Sequence, residues 1–217
     1  MKILEIKELE IPDIRVIRFS KFKDHRGYFM EHFRRSDIQG LGIKSLENVN
    51  FVQGNQSYSK RGVIRGMHFQ WNPYMGKMVR TLSGNMTDLV LDIRKGSPNF
   101  GKMIGYDMPS LDKKDYDEWI WVPPGFAHGN FYLKNSKIEY LCSGEYSPGC
   151  EAGISPLAKD IDWSLCNPKI KKNFDLISLN NSLMTDKDRN GFTIEEWNKN
   201  EKSDKFIYKE LKNLDLF

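Results

Sequence analysis

Turn signals interrupt this chain at short, regular intervals, and that feature restricts its fold more than any other. Between about residues 11 and 165, clusters of β-branched and aromatic residues alternate with polar ones and are cut about every 8 to 12 residues by breaks rich in Gly, Pro and Asn. The runs are IRVIRF, GYFMEHF, GVIRGMHF, KMVRTL, TDLVLDIR and HGNFYL, and the breaks DHRG, SGN, KGSPNFG and VPPGFAHG. Short strands in such number predict an all-β sandwich or barrel. Two stretches look helical: a short one at 35–39, and a charged one at 194–214 where Trp197, Phe206, Tyr208 and Leu211 give a weak apolar stripe. The 217 residues contain no repeat or low-complexity tract and suit one domain. We place that domain at 1–188 and a C-terminal extension, packed on the barrel as an appendage, at 189–217.

Charge narrows the partners. The 33 Lys and Arg residues against 29 Asp and Glu give a net +4, spread along the chain with no basic tract. That argues against a nucleic-acid binder and suits an anionic small molecule. Cys142, Cys150 and Cys166 are odd in number and lack CxxC spacing, which points to reduced thiols in a cytoplasmic protein. MKILEIKELE has no apolar targeting core, and no run reaches about 18 apolar residues, so neither export nor membrane insertion is expected.

Three constellations can carry chemistry. His68 lies in RGVIRGMHFQ, followed by Lys77 and Arg80 beyond a turn at Pro73. If the two flank one hairpin, an imidazole and a cation converge on one anionic or enolising substrate; the alternative is two ordinary strands with solvated cations. PPGFAHGN, residues 123–130, places Pro123, Gly125 and His128 in a PxGxxH turn similar to the second histidine motif of the cupin superfamily. The first cupin motif brings an HxH pair, but the matching place here reads His68-Phe69-Gln70, so a three-histidine metal site lacks its ligands. No metal is expected. In EYLCSGEY, Tyr140 and Tyr146 stand six apart, which puts both on one face of a strand. One phenol could donate a proton and the other ring stack on a base or sugar; the alternative is two aromatics filling a core. A fourth stretch, DKDRNGFTIEEW, opens like a calcium loop with Asp186, Asp188, Asn190 and Gly191, but position 12 is Trp197 where a bidentate glutamate is required.

Taken together, these residues resemble the dTDP-4-dehydrorhamnose 3,5-epimerases, cupin-type enzymes of deoxysugar synthesis. The resemblance runs from about Lys21 to Asp188 through DHRGYFMEHF at 24–33, FVQGNQSYSKRGVIRGMHFQ at 51–70, LDIRKGSPNFGK at 91–102, VPPGFAHGN at 122–130, YLCSGEYSPGCEAGI at 140–154 and TDKD at 185–188. Several motifs in family order are far more specific than any one of them. The resemblance implies a cupin-type β jelly-roll barrel with short peripheral helices and a reaction without a cofactor. A ketone at C4 acidifies the protons on C3 and C5, so inversion needs a base on one face, an acid on the other and a cation for the enolate. The resemblance gives these roles to His68 as base, Asp188 as the carboxylate orienting it, Tyr140 as acid and Lys77 as enolate stabiliser, the last worth about 3 kcal/mol. It implies substrate binding by Arg26, Glu31, Gln53, Asn55, Arg65, His128, Tyr146, Glu151 and Lys187. It further implies a homodimer in which the N-terminal segment, with Arg26 and Glu31, reaches the partner's site.

The chain departs from the family pattern in four places. The stretch from His68 to Lys77 is one residue shorter, with Met75 near the usual place of a glutamine; SPLAKDIDW replaces WDDP after Ile154; the stretch before Thr185 is longer; and about thirty residues follow Asp188. These places bear on which carbon and which nucleotide are used. The leading expectation is a 3,5-epimerase of a nucleotide-diphospho-4-keto-6-deoxy sugar, most simply dTDP-4-dehydro-6-deoxyglucose. The alternatives are a single-carbon epimerase of a related hexose or heptose, a 3,4-ketoisomerase, and a barrel that only binds nucleotide sugars.

Overall fold

Alternation along the strands sorts the chain into two antiparallel sheets that face each other. The computed structural model describes residues 1–179 and 183–212. Its strands are β1 (Ile3–Glu8), β2 (Arg15–Ser20), β3 (Phe22–Asp24), β4 (Gly27–Phe29), β5 (Gln53–Ser59), β6 (Ile64–Gln70), β7 (Lys77–Ser83), β8 (Asn85–Asp92), β9 (Met103–Pro109), β10 (Tyr116–Val122), β11 (Phe126–Tyr132), β12 (Ser136–Cys142) and β13 (Glu151–Gly153). Its helices are α1 (Arg35–Gln39), α2 (Pro168–Leu179), α3 (Asp186–Arg189), α4 (Ile194–Lys199) and α5 (Tyr208–Leu211). One sheet runs β1-β2-β10-β7-β12-β5, the other β13-β6-β11-β8-β9, and β3 with β4 forms a separate hairpin. The arrangement is the jelly roll expected from the sequence.

β8 shows how sequence becomes layers. Met86 and Val90 enter the core between the sheets, whereas Leu89 and Leu91 enter a second cluster on the outer side. Both faces are covered, so the strand reads as a nearly continuous buried run. Between the sheets, Val16, Val79, Ile120 and Ile138 meet Met86, Val90, Ile104 and Tyr132. Outside the six-stranded sheet, Ile17, Phe19, Met78, Trp119 and Trp121 pack beneath Ile38 of α1, Leu46 and Val49. Outside the five-stranded sheet, Met67, Phe69, Leu89, Leu91 and Phe131 pack beneath Ile170, Phe174, Ile194, Trp197 and Phe206 from the C-terminal segment.

The helices differ from expectation in two respects. α2 is additional: its buried residues are Ile170 and Phe174 alone, four apart on one face, too thin a stripe to stand out among lysines. Its start is nonetheless signalled by Asn167, whose Oδ1 accepts the Lys169 N–H at 2.9 Å, followed by Pro168 in the first turn. The single charged helix expected at 194–214 is instead α4, a 3₁₀ turn at Glu201–Lys205 and α5, and residues 213–214 lie outside the described residues. Asn200 makes the break. It ends α4 with extended backbone and its side chain accepts the Lys202 N–H to cap the next turn. Among the described residues no helix is long and apolar enough to cross a membrane.

Candidate active site

A bulge in β6 builds the site. His128 pairs with His68 and Asn130 with Arg65, so three steps along β6 match two along β11. Residues three apart on a regular strand face opposite ways, but the extra residue turns Arg65 and His68 into the same cavity. Gly66 makes this possible. Its φ is +108°, and a Cβ there would lie 2.5 Å from the Gly129 Cα and 2.7 Å from the His128 carbonyl oxygen.

The bulge also seats a carboxylate. The Gly66 N–H donates to Asp188 Oδ2 at 3.4 Å, while Asp188 Oδ1 lies 2.6 Å from His68 Nε2. Asp188 sits on α3, whose N-cap Thr185 accepts the Asp188 N–H, and the Ser155 hydroxyl donates to the Arg189 carbonyl at 2.8 Å. The segment that replaces WDDP therefore anchors the helix carrying Asp188. The start of the calcium-like stretch is this helix and not an open loop, and among the described residues no three His, Cys, Asp or Glu side chains cluster as metal ligands.

Two compartments meet at the dyad. One, of about 340 Å³, is lined by Ser57, Arg65, His68, Lys77, His128, Gly129, Asn130, Ile138, Tyr140, Thr185, Lys187 and Asp188. The other, of about 380 Å³, is lined by Gln53, Asn55, His68, Phe69, Gln70, Met75, Lys77, Tyr140, Cys142, Tyr146 and Glu151. They share His68, Lys77 and Tyr140. His68 comes from the five-stranded sheet, and Lys77 and Tyr140 from the six-stranded sheet opposite. His68 and Lys77 thus do not flank one hairpin: β6 and β7 belong to different sheets, and the two side chains converge across the barrel.

Burial tunes these groups. Desolvation holds the Lys77 ammonium below the ordinary lysine value, against the opposing pull of Cys142, Asp88 and Glu151. Burial raises the Tyr140 phenol, which stays protonated as a donor. Burial also works to raise the Asp188 carboxyl, but hydrogen bonds led by that from His68 outweigh it and hold the group below the ordinary aspartate value. A His68 ring in the tautomer that gives Nε2–H to Asp188 carries its lone pair on Nδ1. His128 makes a parallel pair, Nε2 to Asp88 Oδ1 at 2.6 Å, with Asp88 fully buried. At the cavity edge Glu151 Oε1 takes Lys187 Nζ at 2.6 Å and the Tyr146 hydroxyl at 2.8 Å. Tyr146 is not on the strand with Tyr140, as spacing suggested: β12 ends at Cys142 and Tyr146 lies in the following loop, exposed.

Two expected residues stand apart within this chain. Arg26, in the β3–β4 turn, pairs with Asp24 at 2.6 Å, and Glu31 pairs with Arg34 at 2.8 Å. Neither lines the compartments. Further residues of the wall follow from the strand period. Period two from Asn55, His128 and Tyr140 leads directly to Ser57, Asn130 and Ile138, all on the cavity wall. Asp88 was signalled only as a lone carboxylate inside an apolar strand.

Fold and interior place the chain among cupin-type jelly rolls with a cavity of titratable side chains inside the barrel. A family model described as dTDP-4-dehydrorhamnose 3,5-epimerase matches residues 8–196. The Shigella flexneri dTDP-4-dehydrorhamnose 3,5-epimerase is 37% identical over 193 residues, 87% of this chain and 94% of that protein. The crystal structure of the Legionella pneumophila dTDP-6-deoxy-D-glucose-3,5-epimerase in complex with dTDP-4-keto-L-rhamnose superimposes with a TM-score of 0.73 at 30% identity, covering 88% of this chain and 93% of that one. The Mycobacterium tuberculosis rmlC epimerase gives 0.75 at 28% identity, covering 96% of each. The chain belongs to the dTDP-4-dehydrorhamnose 3,5-epimerase family.

Proposed function

We propose that this chain epimerises C3 and C5 of a dTDP-linked 4-keto-6-deoxy sugar, with His68 as the base. The observation that carries the reading is the His68–Asp188 pair at 2.6 Å, set across one cavity from Lys77 and Tyr140. His68 Nδ1 takes the proton next to the ketone, and Asp188 stabilises the resulting imidazolium. The electrons move onto the C4 oxygen, where the Lys77 ammonium offsets the enolate charge. Tyr140, on the opposite wall, returns a proton to the other face, and the centre is inverted. Solvent re-equilibrates both groups. Arg65, Lys187 and His128 suit the diphosphate and sugar, and Gln53, Asn55, Tyr146 and Glu151 the nucleoside side. In D2O, deuterium should enter C3 and C5 of dTDP-4-keto-6-deoxyglucose. Entry at one carbon would make it a single-carbon epimerase, and entry at neither sinks the reading.

The working unit on this reading is a homodimer in the cytoplasm, with Arg26 and Glu31 serving the partner's site. Supporting it, Arg26 and Glu31 lie away from their own cavity, and the segment carrying them exposes Phe22, Tyr28 and Phe29. The free thiols of Cys142, Cys150 and Cys166 suit a reducing compartment. Arg26→Ala and His68→Asn chains, each weak alone, should recover activity when mixed, because one of the two sites then holds both native residues. No recovery argues against the exchange.

A further inference from the structure

One polar row on the inner wall has no part in the proposed proton transfers. Asn130 pairs with Arg65 on one side and Asp88 on the other, so a guanidinium, an amide and a carboxylate cross β6, β11 and β8 side by side, at about 5 Å spacing. Asn130 is 5% exposed, lines the compartment and has no hydrogen-bond partner for Oδ1 among the described residues. Asp88 Oδ1 is held by His128 Nε2, and its Oδ2 likewise has no partner among the described residues. Arg65 does not fill the gap, since it donates to Ser59 Oγ at 3.0 Å and to the Tyr58 carbonyl at 3.4 Å.

A buried acceptor without a donor is unfavourable, and Oδ1 is itself closed to solvent, so a partner arriving from the cavity meets Asn130 through whichever end of its amide the compartment exposes. Turning the amide over only exchanges which end waits. A 4-keto-6-deoxyhexose carries hydroxyl groups at C2 and C3, and on the epimerase reading its ring lies in the compartment beside His68 that Asn130 also lines. We propose that Asn130 is a specificity-determining residue that hydrogen-bonds one of these ring hydroxyls, so that the site selects a keto sugar retaining it over the corresponding deoxy sugar. This rests on the epimerase reading above and adds to it the feature of the sugar that is recognised.

The test couples the side chain to the hydroxyl. Deuterium wash-in at C5 is followed for dTDP-4-keto-6-deoxyglucose and for its 2-deoxy and 3-deoxy counterparts, with the wild-type protein and with Asn130→Leu, which is nearly isosteric. For the wild type, kcat/KM should fall roughly 10- to 100-fold on one of the two analogues, and that analogue identifies the hydroxyl. Asn130→Leu should lose a similar factor on the parent sugar and nothing further on that analogue. Equal losses on all three sugars, or no wild-type loss on either analogue, overturns the proposal; an ordered water in place of the hydroxyl gives that result. If the leucine variant does not fold, Asn130→Ala replaces it with the same expectation. A wild-type protein that exchanges no deuterium with the parent sugar refutes the epimerase reading itself, a different readout from the loss of selectivity that concerns Asn130.

Discussion

The two faces of the five-stranded sheet are made from neighbouring residues of the same strands and do opposite things. Inward, Arg65, His68, His128 and Asn130 line a cavity and Asp88 lies buried behind them, with acceptors on Asp88 and Asn130 that have no partner among the described residues. Outward, Met67, Phe69, Leu89, Leu91 and Phe131 are sealed beneath Trp197, Phe206 and Phe174. A wall of charges around a hole contributes little to stability, whereas each large apolar side chain buried outside contributes about 1.5–3 kcal/mol. The difference teaches that sheet face, set by strand parity and reset once by the β6 bulge, separates chemistry from cohesion, and that the C-terminal segment holds the sheet which positions His68.

The largest effect expected on the inner face is chemical. His68→Asn keeps an amide for Asp188 but removes the base, and wash-in should fall roughly 10³-fold or more. Thermal unfolding of the same variant should stay close to wild type. A variant that unfolded as easily as a core truncation would break the separation between faces.

Trp197→Ala probes the other face. Trp197 is fully buried and packs edge-on with Phe69 at 4.6 Å and Phe206 at 5.6 Å between ring centroids. Its loss should cost about 3–5 kcal/mol in denaturant unfolding, with wash-in per folded molecule little changed. Because Phe69 adjoins His68 in the chain, a tenfold drop in wash-in per folded molecule would show that the two faces are coupled through that strand.

How much of this could be read beforehand follows from the range of each signal. Period two exposed the strands, and the motifs carried His68, Lys77, Tyr140 and Asp188, because both depend on residues near each other in the chain. The β6 bulge is different. It arises where Gly66 meets Gly129 and the His128 carbonyl, a contact between strands more than sixty residues apart, and without it spacing puts Arg65 and His68 on opposite faces. Likewise, nothing local said that β6 and β7 join different sheets, or that Tyr146 falls past a strand end. α2 and the broken C-terminal helices are held mainly by contacts with the sheet, so their own sequences carry weak periodicity. Asn130 was hidden for a simpler reason: a polar residue in a buried strand looks like noise until its neighbours are seen.

The smallest effect tests the inner face alone, through pH. Burial depresses Lys77, so its ammonium loses a proton below the ordinary lysine range. Between that lowered value and the ordinary one, the unfolded chain binds the proton and the folded chain does not. Stability therefore rises with pH through this window as far as Lys77 is concerned, while the proposed enolate stabiliser is being lost. Wash-in should fall and resistance to unfolding rise over the same interval, a divergence that no residue of the outer face can produce. Lys77→Arg keeps a cation at high pH, so the alkaline decline should move up toward the ionisation of Tyr140, itself raised by burial. An alkaline limb unmoved in Lys77→Arg would assign the decline to another group and leave Lys77 as a positioning charge.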